Sequence, residues 1–373
     1  MKKTFATLAV LSCISLSSAA GAQDVEAEVI AELPYSVGNV TFSPDNRVFF
    51  SHHPFFSPDV RVAELNADGK GFTPFPNESW NTPREGTDDF FDSVLGLRGD
   101  ENGVIWILDM GHRHGLTPKI VGWDTRTDSL ERIYYIPEPV SIQGSQHNDF
   151  VVDPINRVFV IADEGIGPGG DGTIAALVTV DMNTGTTRRV LQGHESTLPE
   201  DVPITVNGRD LTVPDGNGGQ AVIKVGADGI ALDKNSEWLY YGPLNGGWIY
   251  RLKMADLMNL DLSDEELGNR VEKYAEKPNN GGLSIDMDGN LYLTEVEVTS
   301  VGVIPADTRE YRRYASAPNL IWPDGVSYSP DGHMYVSAAQ ISEAALFNDG
   351  EDKSGAPFYI FRFPPLAAGI IGR

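Results

Sequence analysis

Carboxylates and amides stand at recurring places beside very apolar runs in this chain. His147-Asn148-Asp149 precedes Phe150, Asp228-Gly229 precedes Ile230, Asn280 lies just before Leu283, Asp324-Gly325 precedes Val326, and Asn39 precedes Val40. Asp109, Glu295 and Gln340 follow such runs. A polar residue at a strand end either caps its own backbone or faces a ligand. Several converging in one funnel make a binding site. A hard cation such as calcium takes about six to eight oxygens, and Asn148, Asp228 and Asp324 are the candidate metal ligands. Asp149 or Glu295 is the candidate general base, within reach of an attacking water. Asn39, Asp109, His147, Asn148, Asp228, Asn280, Asp324 and Gln340 are candidate contacts to a small organic ligand. His52-His53, His112-x-His114 and His147 offer softer-metal chemistry. Covalent catalysis has no signature: there is no Gly-x-Ser-x-Gly elbow, and the one cysteine is Cys13.

The elements that position these residues repeat six times. Each copy is an apolar alternating run, a turn rich in Asp, Asn, Gly or Pro, and a second apolar run. Aligned on Val40, Leu95, Phe150, Ile230, Leu283 and Val326, the copies are spaced 55, 55, 80, 53 and 43 residues apart. β-Branched and aromatic content with period two predicts strands. Repeats of about 40 to 50 residues predict the blades of a propeller. The fold class expected is therefore all-β, a six-bladed β-propeller with a central channel. Residues 25–33 are expected to pair with 358–363 and close the ring, removing its exposed edges. Residues before the first strand and after the second then share one rim of the channel. Asp45, Asp153, Asp288 and Asp331 belong to turns on the far face, where bonding to their own backbone is expected.

The 80-residue interval holds an insertion over 193–225, a lid, a binding edge or a covering flap. Residues 256–271 have helix-like content, with Ser263 as N-cap and Glu266 three residues on. Lys2-Lys3, the apolar stretch 5–16 and Ala20-Gly21-Ala22 read as a secretory signal peptide over 1–22. A secreted or periplasmic location follows, with a single domain over 23–373. The net charge of −25 excludes nucleic acid and anionic lipid as partners; it keeps an exported protein soluble, with attraction of a cation, a metal ion or an amine, as the alternative. No later segment is apolar enough for insertion into a membrane.

Several stretches resemble the major royal jelly/yellow protein family. They are Val104–Gly111 (VIWILDMG), Lys119–Asp124, Asp228–Leu232 with Leu239–Leu244, and Gly281–Glu297 (GGLSIDMDGNLYLTEVE). The resemblance implies a six-bladed propeller whose channel binds, and in some members converts, a small molecule such as an aromatic amine or catechol. Unlike insect members, the chain has no cysteine beyond Cys13. It is more distantly similar to the gluconolactonase/regucalcin family, which implies a metal-dependent lactone hydrolase. On that likeness Asn148 and Asp228 fall at ligand positions, Asn39 replaces a glutamate and Gly281 an aspartate. A protein-binding scaffold is the third alternative.

Overall fold

Alternating apolar residues give each repeat one inner hairpin and two outer strands, as four-stranded antiparallel sheets. The computed structural model describes residues 25–214 and 218–373, so the expected signal peptide lies outside the described residues. Among these residues no helix is long and apolar enough to cross a membrane. Blade one is built from Val37–Phe42, Val48–His52, Val62–Leu65 and Phe72–Pro74. Blades two to five follow in chain order, and blade six combines Pro323–Tyr328, Met334–Ala338 and Phe358–Phe363 with Glu28–Leu33 from the N-terminal side. The inner strands neighbour one another all the way around. The ring is a six-bladed β-propeller.

The closure forms as expected, with Val29 opposite Phe361 and Leu33 opposite Phe358. Val25–Glu26 departs from it, pairing parallel with Ala315 and Ser316 on the outer edge of blade five. Apolar residues from adjacent blades interleave between the sheets. One such cluster sets Phe150, Phe159 and Val178 of blade three against Trp106 and Ile120 of blade two. The helical region is two short helices, Met254–Leu257 and Asp264–Gly268, the second carrying the expected Ser263–Glu266 capping box. A further helix, Glu78–Asn81, was not anticipated; its cap is Asn77. Its four residues are too few to show a helical period.

All six inner strands carry the same irregularity. Pairing with the second strand slips between Val37 and Val40, Val94 and Leu97, His147 and Phe150, Ala227 and Ile230, Asn280 and Leu283, and Pro323 and Val326. Each slip is a β-bulge of two residues, which re-aims side chains at a ring's centre. Leu97, not Leu95, is thus the blade-two counterpart of Val40.

The second bulge residue explains four glycines. A Cβ on Gly96, Gly229, Gly282 or Gly325 would come within 2.6 Å of the next blade's backbone. Glycine there lets the inner strands meet. On the far face the C-terminal segment crosses the ring. Ser284 Oγ donates to the Arg373 carbonyl, Arg373 donates to Ser236 Oγ, and Gly372 packs on the Gly99 carbonyl. The channel is therefore stoppered on that side.

Candidate functional site

The bulges and the ends of the second strands form stacked rings around the channel. The first bulge residues are Gly38, Leu95, Asn148, Asp228, Gly281 and Asp324. The residues one past the second strand's paired end are His53, Met110, Glu164, Leu244, Val296 and Ala339. Leu95, Asn148, Asp228, Gly281, Asp324, His53, Met110, Glu164 and Leu244 line a narrow cavity of about 50 Å³. Its roof is apolar. Ile204, Leu211 and Val225 of the insertion pack with Trp322, Ile341 and Phe347. The insertion forms two small hairpins, Thr205–Val206 with Arg209–Asp210 and Thr212–Pro214 with Gln220–Val222, and covers the near mouth of the channel.

Three carboxylates, Glu164, Asp228 and Asp324, meet beneath this roof, each at most 4% exposed or, for Asp324, partly buried as a residue with its Oδ2 enclosed. Asn148 Nδ2 bridges two of them, donating to Glu164 Oε1 at 3.0 Å and to Asp228 Oδ1 at 2.6 Å. Gln146 Nε2 donates to Glu164 Oε2 at 2.5 Å. Asn148 Oδ1 and Asp324 Oδ2 are buried without a hydrogen-bond partner. His53 Nε2 lies 3.6 Å from Asp324 Oδ2, but burial pulls the imidazole down to about 3, so at neutral pH it supplies no charge. Among the described residues none of the three acids is ion-paired with Lys or Arg. Lys277, the cation that acts on Asp228 from farther off, is spent on the carbonyls of Leu244, Gly246 and Pro278.

The electrostatic result follows from burial without compensation. Burial, then repulsion from Asp149, pushes the Asp228 carboxyl up to about 7. Burial and the neighbouring Asp228 hold Glu164 well above the usual carboxylate range. Burial, then Asp228, does the same to Asp324. Such a cluster keeps protons at neutral pH, and Glu164 and Asp228 titrate as a pair. It can donate and accept protons, or exchange its protons for a bound cation.

Four of the sequence-selected residues, Asn148, Asp228, Asp324 and His53, line the cavity. The others are engaged elsewhere. Asp149, expected as a base, is held by Arg98, whose Nη2 lies 2.5 Å from Asp149 Oδ2, while Asn39 and Phe150 N bond to Oδ1. Asn39 shares this knot, accepting from Arg98 Nη1. Glu295, the other expected base, takes the Ser300 hydroxyl at 2.7 Å and faces Arg313. Asp109 receives the backbone N–H groups of Asp92, Ser93 and Gly111 and pairs with Lys119 at 2.9 Å. His147 is enclosed near Asp163. Asn280 donates to the carbonyls of Gly281 and Gly282. Gln340 holds Gly355 and Pro357.

The common reason is strand parity. Asp109, Asp163 and Glu295 are directly paired with the inner strand, so they point into the blade. The residue after each points into the funnel. Glu164, on the rim expected after the second strand, was left out of the candidate site residues for this reason; its signal was its place directly after Asp163. Register also puts Gly38 rather than Asn39 level with Asn148 and Asp228.

A calcium-type site fits poorly. Gly38, Leu95 and Gly281 leave half of the first bulge ring without a donor. Among the described residues no group of three or more His, Cys, Asp or Glu side chains is arranged to hold a metal ion.

The fold is similar to that of a luciferin-regenerating enzyme (TM-score 0.58, 13% identity, covering 93% of this chain and 97% of that one). It is also similar to a gluconolactonase from Xanthomonas campestris (0.55, 11%, 90% and 89%) and to a calcium-binding regucalcin from Agrobacterium tumefaciens (0.55, 14%, 94% and 96%). These likenesses concern the fold alone. No curated protein matches the sequence. The family model described as major royal jelly protein matches residues 92–345, well over half the chain, and the protein belongs to that family.

Proposed function

We propose that the funnel binds a small organic cation, an amine carried on an apolar or aromatic body. The observation that supports this is the cluster of Glu164, Asp228 and Asp324, buried without a counter-ion beneath an apolar roof containing Trp322 and Phe347. Burying a carboxylate without a partner is costly, and a ligand cation removes that penalty. An ammonium group donates three hydrogen bonds, and Asn148 Oδ1 and Asp324 Oδ2 are unpartnered acceptors. An aromatic roof adds attraction for a cation. Where conversion follows binding, Glu164 and Asp228 are the groups placed to move a proton on the ligand. Export to the periplasm or medium is part of the same proposal and rests on residues 1–22.

Calorimetry with a panel of arylalkylamines tests the binding. The expected result is saturable binding to the wild type that Asp228→Asn weakens by about tenfold or more. Absence of binding at millimolar amine contradicts the proposal. Bound divalent metal found by elemental analysis, together with metal-dependent lactone hydrolysis, would favour the gluconolactonase-like alternative instead.

A further inference from the structure

The cavity around the acids has about 50 Å³ of room. That holds a few water molecules and is too little for an aromatic amine. A second hollow of about 700 Å³ opens to the surface beside it, and the two share His53 and Phe55. The wall between them is the 3-10 turn Pro54–Phe56, capped by His53, whose Nδ1 accepts from Phe55 N at 3.2 Å. That bond leaves the ring proton on Nε2, the atom facing Asp324. The rings of His53 and Phe55 lie edge to face with centroids 4.9 Å apart.

Beyond this wall the outer hollow is aromatic. Tyr35, Phe55, Phe56 and Phe358 line it, with Asp352 at its side. Tyr35 is 55% and Phe55 41% exposed, unusual for large apolar side chains in a concave surface. The roof over the inner cavity is fastened at several points. Glu297 accepts from Thr205 N, Asn245 and Asn279 donate to the Val202 and Pro203 carbonyls, and Arg209 donates to the Phe347 carbonyl. His53 and Phe55 line both hollows, and only this wall stands between the outer one and the acids' cavity.

We infer that the outer hollow is a second subsite, and that the ligand is an elongated primary amine whose ammonium group passes the His53–Phe55 wall to Asp324 while its apolar body stays among Tyr35, Phe55, Phe56 and Phe358. This rests on the amine reading of the funnel and adds to it a shape. The narrow inner space admits an unsubstituted ammonium group and refuses a quaternary one.

Calorimetry on the whole protein with 3-phenylpropylamine, its N,N,N-trimethyl derivative and methylamine tests this. The primary arylalkylamine should bind at least about tenfold more tightly than the trimethyl derivative. Gly355→Trp fills the outer hollow, since nothing lies within 4 Å of a Cβ built there. It should weaken 3-phenylpropylamine at least about tenfold and leave methylamine, measured by competition, unchanged. Tyr35→Ala, at an exposed position, should weaken the same probe several-fold. Unchanged 3-phenylpropylamine binding in both variants, each melting as the wild type does, overturns the subsite. So does equal affinity for the trimethyl derivative. Methylamine binding that depends on Asp324, with no gain from the phenylpropyl body, overturns the subsite while keeping the funnel reading. No binding of any amine overturns both.

Discussion

Two groups of buried carboxylates occupy the same ring, a few residues apart, and their surroundings differ. Asp109, Asp149 and Asp163 each have a buried cation, Lys119, Arg98 and Arg189, at 2.9, 2.5 and 2.6 Å. Although burial pushes the Asp163 carboxyl up, His147 and Arg189 hold it below its ordinary value; at Asp149 burial still outweighs Arg98 and leaves the carboxyl raised. Glu164, Asp228 and Asp324 have no such partner and are pushed upward. The first group faces sideways into blades two and three or down the channel, and ties strand ends and inner strands together. The second group faces the cavity. The difference shows how an acidic side chain serves two purposes: with a counter-ion it is a fastener, and without one it keeps a proton that a ligand cation can displace.

The largest effect should come from breaking a fastener. Arg98→Met or Lys119→Met leaves a buried carboxylate alone, and denaturant unfolding should show a loss of about 3–5 kcal/mol. If either change is neutral, the fasteners are not what holds the ring.

The cavity acids should respond in the opposite direction. Asp228 has a folded-state value of about 7 against an ordinary carboxylate value near 4. A raised value means that the folded state holds the proton more tightly. Its contribution is present below about pH 4 and is lost as pH rises through about 7. His53, pulled down to about 3, slopes the other way over part of this range, so the difference between wild type and variant is the quantity to read. Asp228→Asn should be more stable than wild type at pH 8 by about 1–3 kcal/mol, with the gain shrinking towards pH 4. A pH-independent difference would mean that the Asp228 carboxyl is not the titrating group.

Ligand binding should carry the same signature at a smaller scale. If an ammonium ion displaces about one proton from the cluster, its affinity should rise about tenfold per pH unit in the region below pH 7 where the cluster is protonated. A flat profile between pH 5 and 7 would place the cation elsewhere. The smallest effect is expected at Arg313, whose exposed guanidinium lies 3.7 Å from Glu295. Arg313→Met should cost less than about 1 kcal/mol and leave binding unaltered. A larger loss of binding would return Glu295 to the site.

Much of the fold was legible because hairpin periodicity is local. The third strands Lys119–Asp124 and Ala176–Asp181 fall where their apolar alternation begins and ends. The capping box at Ser263 and the turn carboxylates Asp153 and Asp331 also follow from short-range bonding. Asp286 takes the turn role expected of Asp288. The site was legible only where the bulge residue itself is polar: Asn148, Asp228 and Asp324. A bulge shifts parity by one residue and leaves no local signature beyond its glycines. Without it, the paired strand-end residue and the next one cannot be told apart, so Glu295 stood in for Glu164. The cations that occupy Asp109 and Asp149 come from other strands, and spacing alone does not bring Arg98 to Asp149.

Asp324→Asn tests the central claim most directly, because it removes the ionisable group at a partnerless atom while keeping shape. Unfolding at pH 8 and calorimetry with an arylalkylamine should be run on the same preparation. Greater stability together with loss of binding is the predicted result. A variant that is less stable than wild type, or that binds the amine equally well, would contradict the claim that the unpaired acids serve a ligand cation.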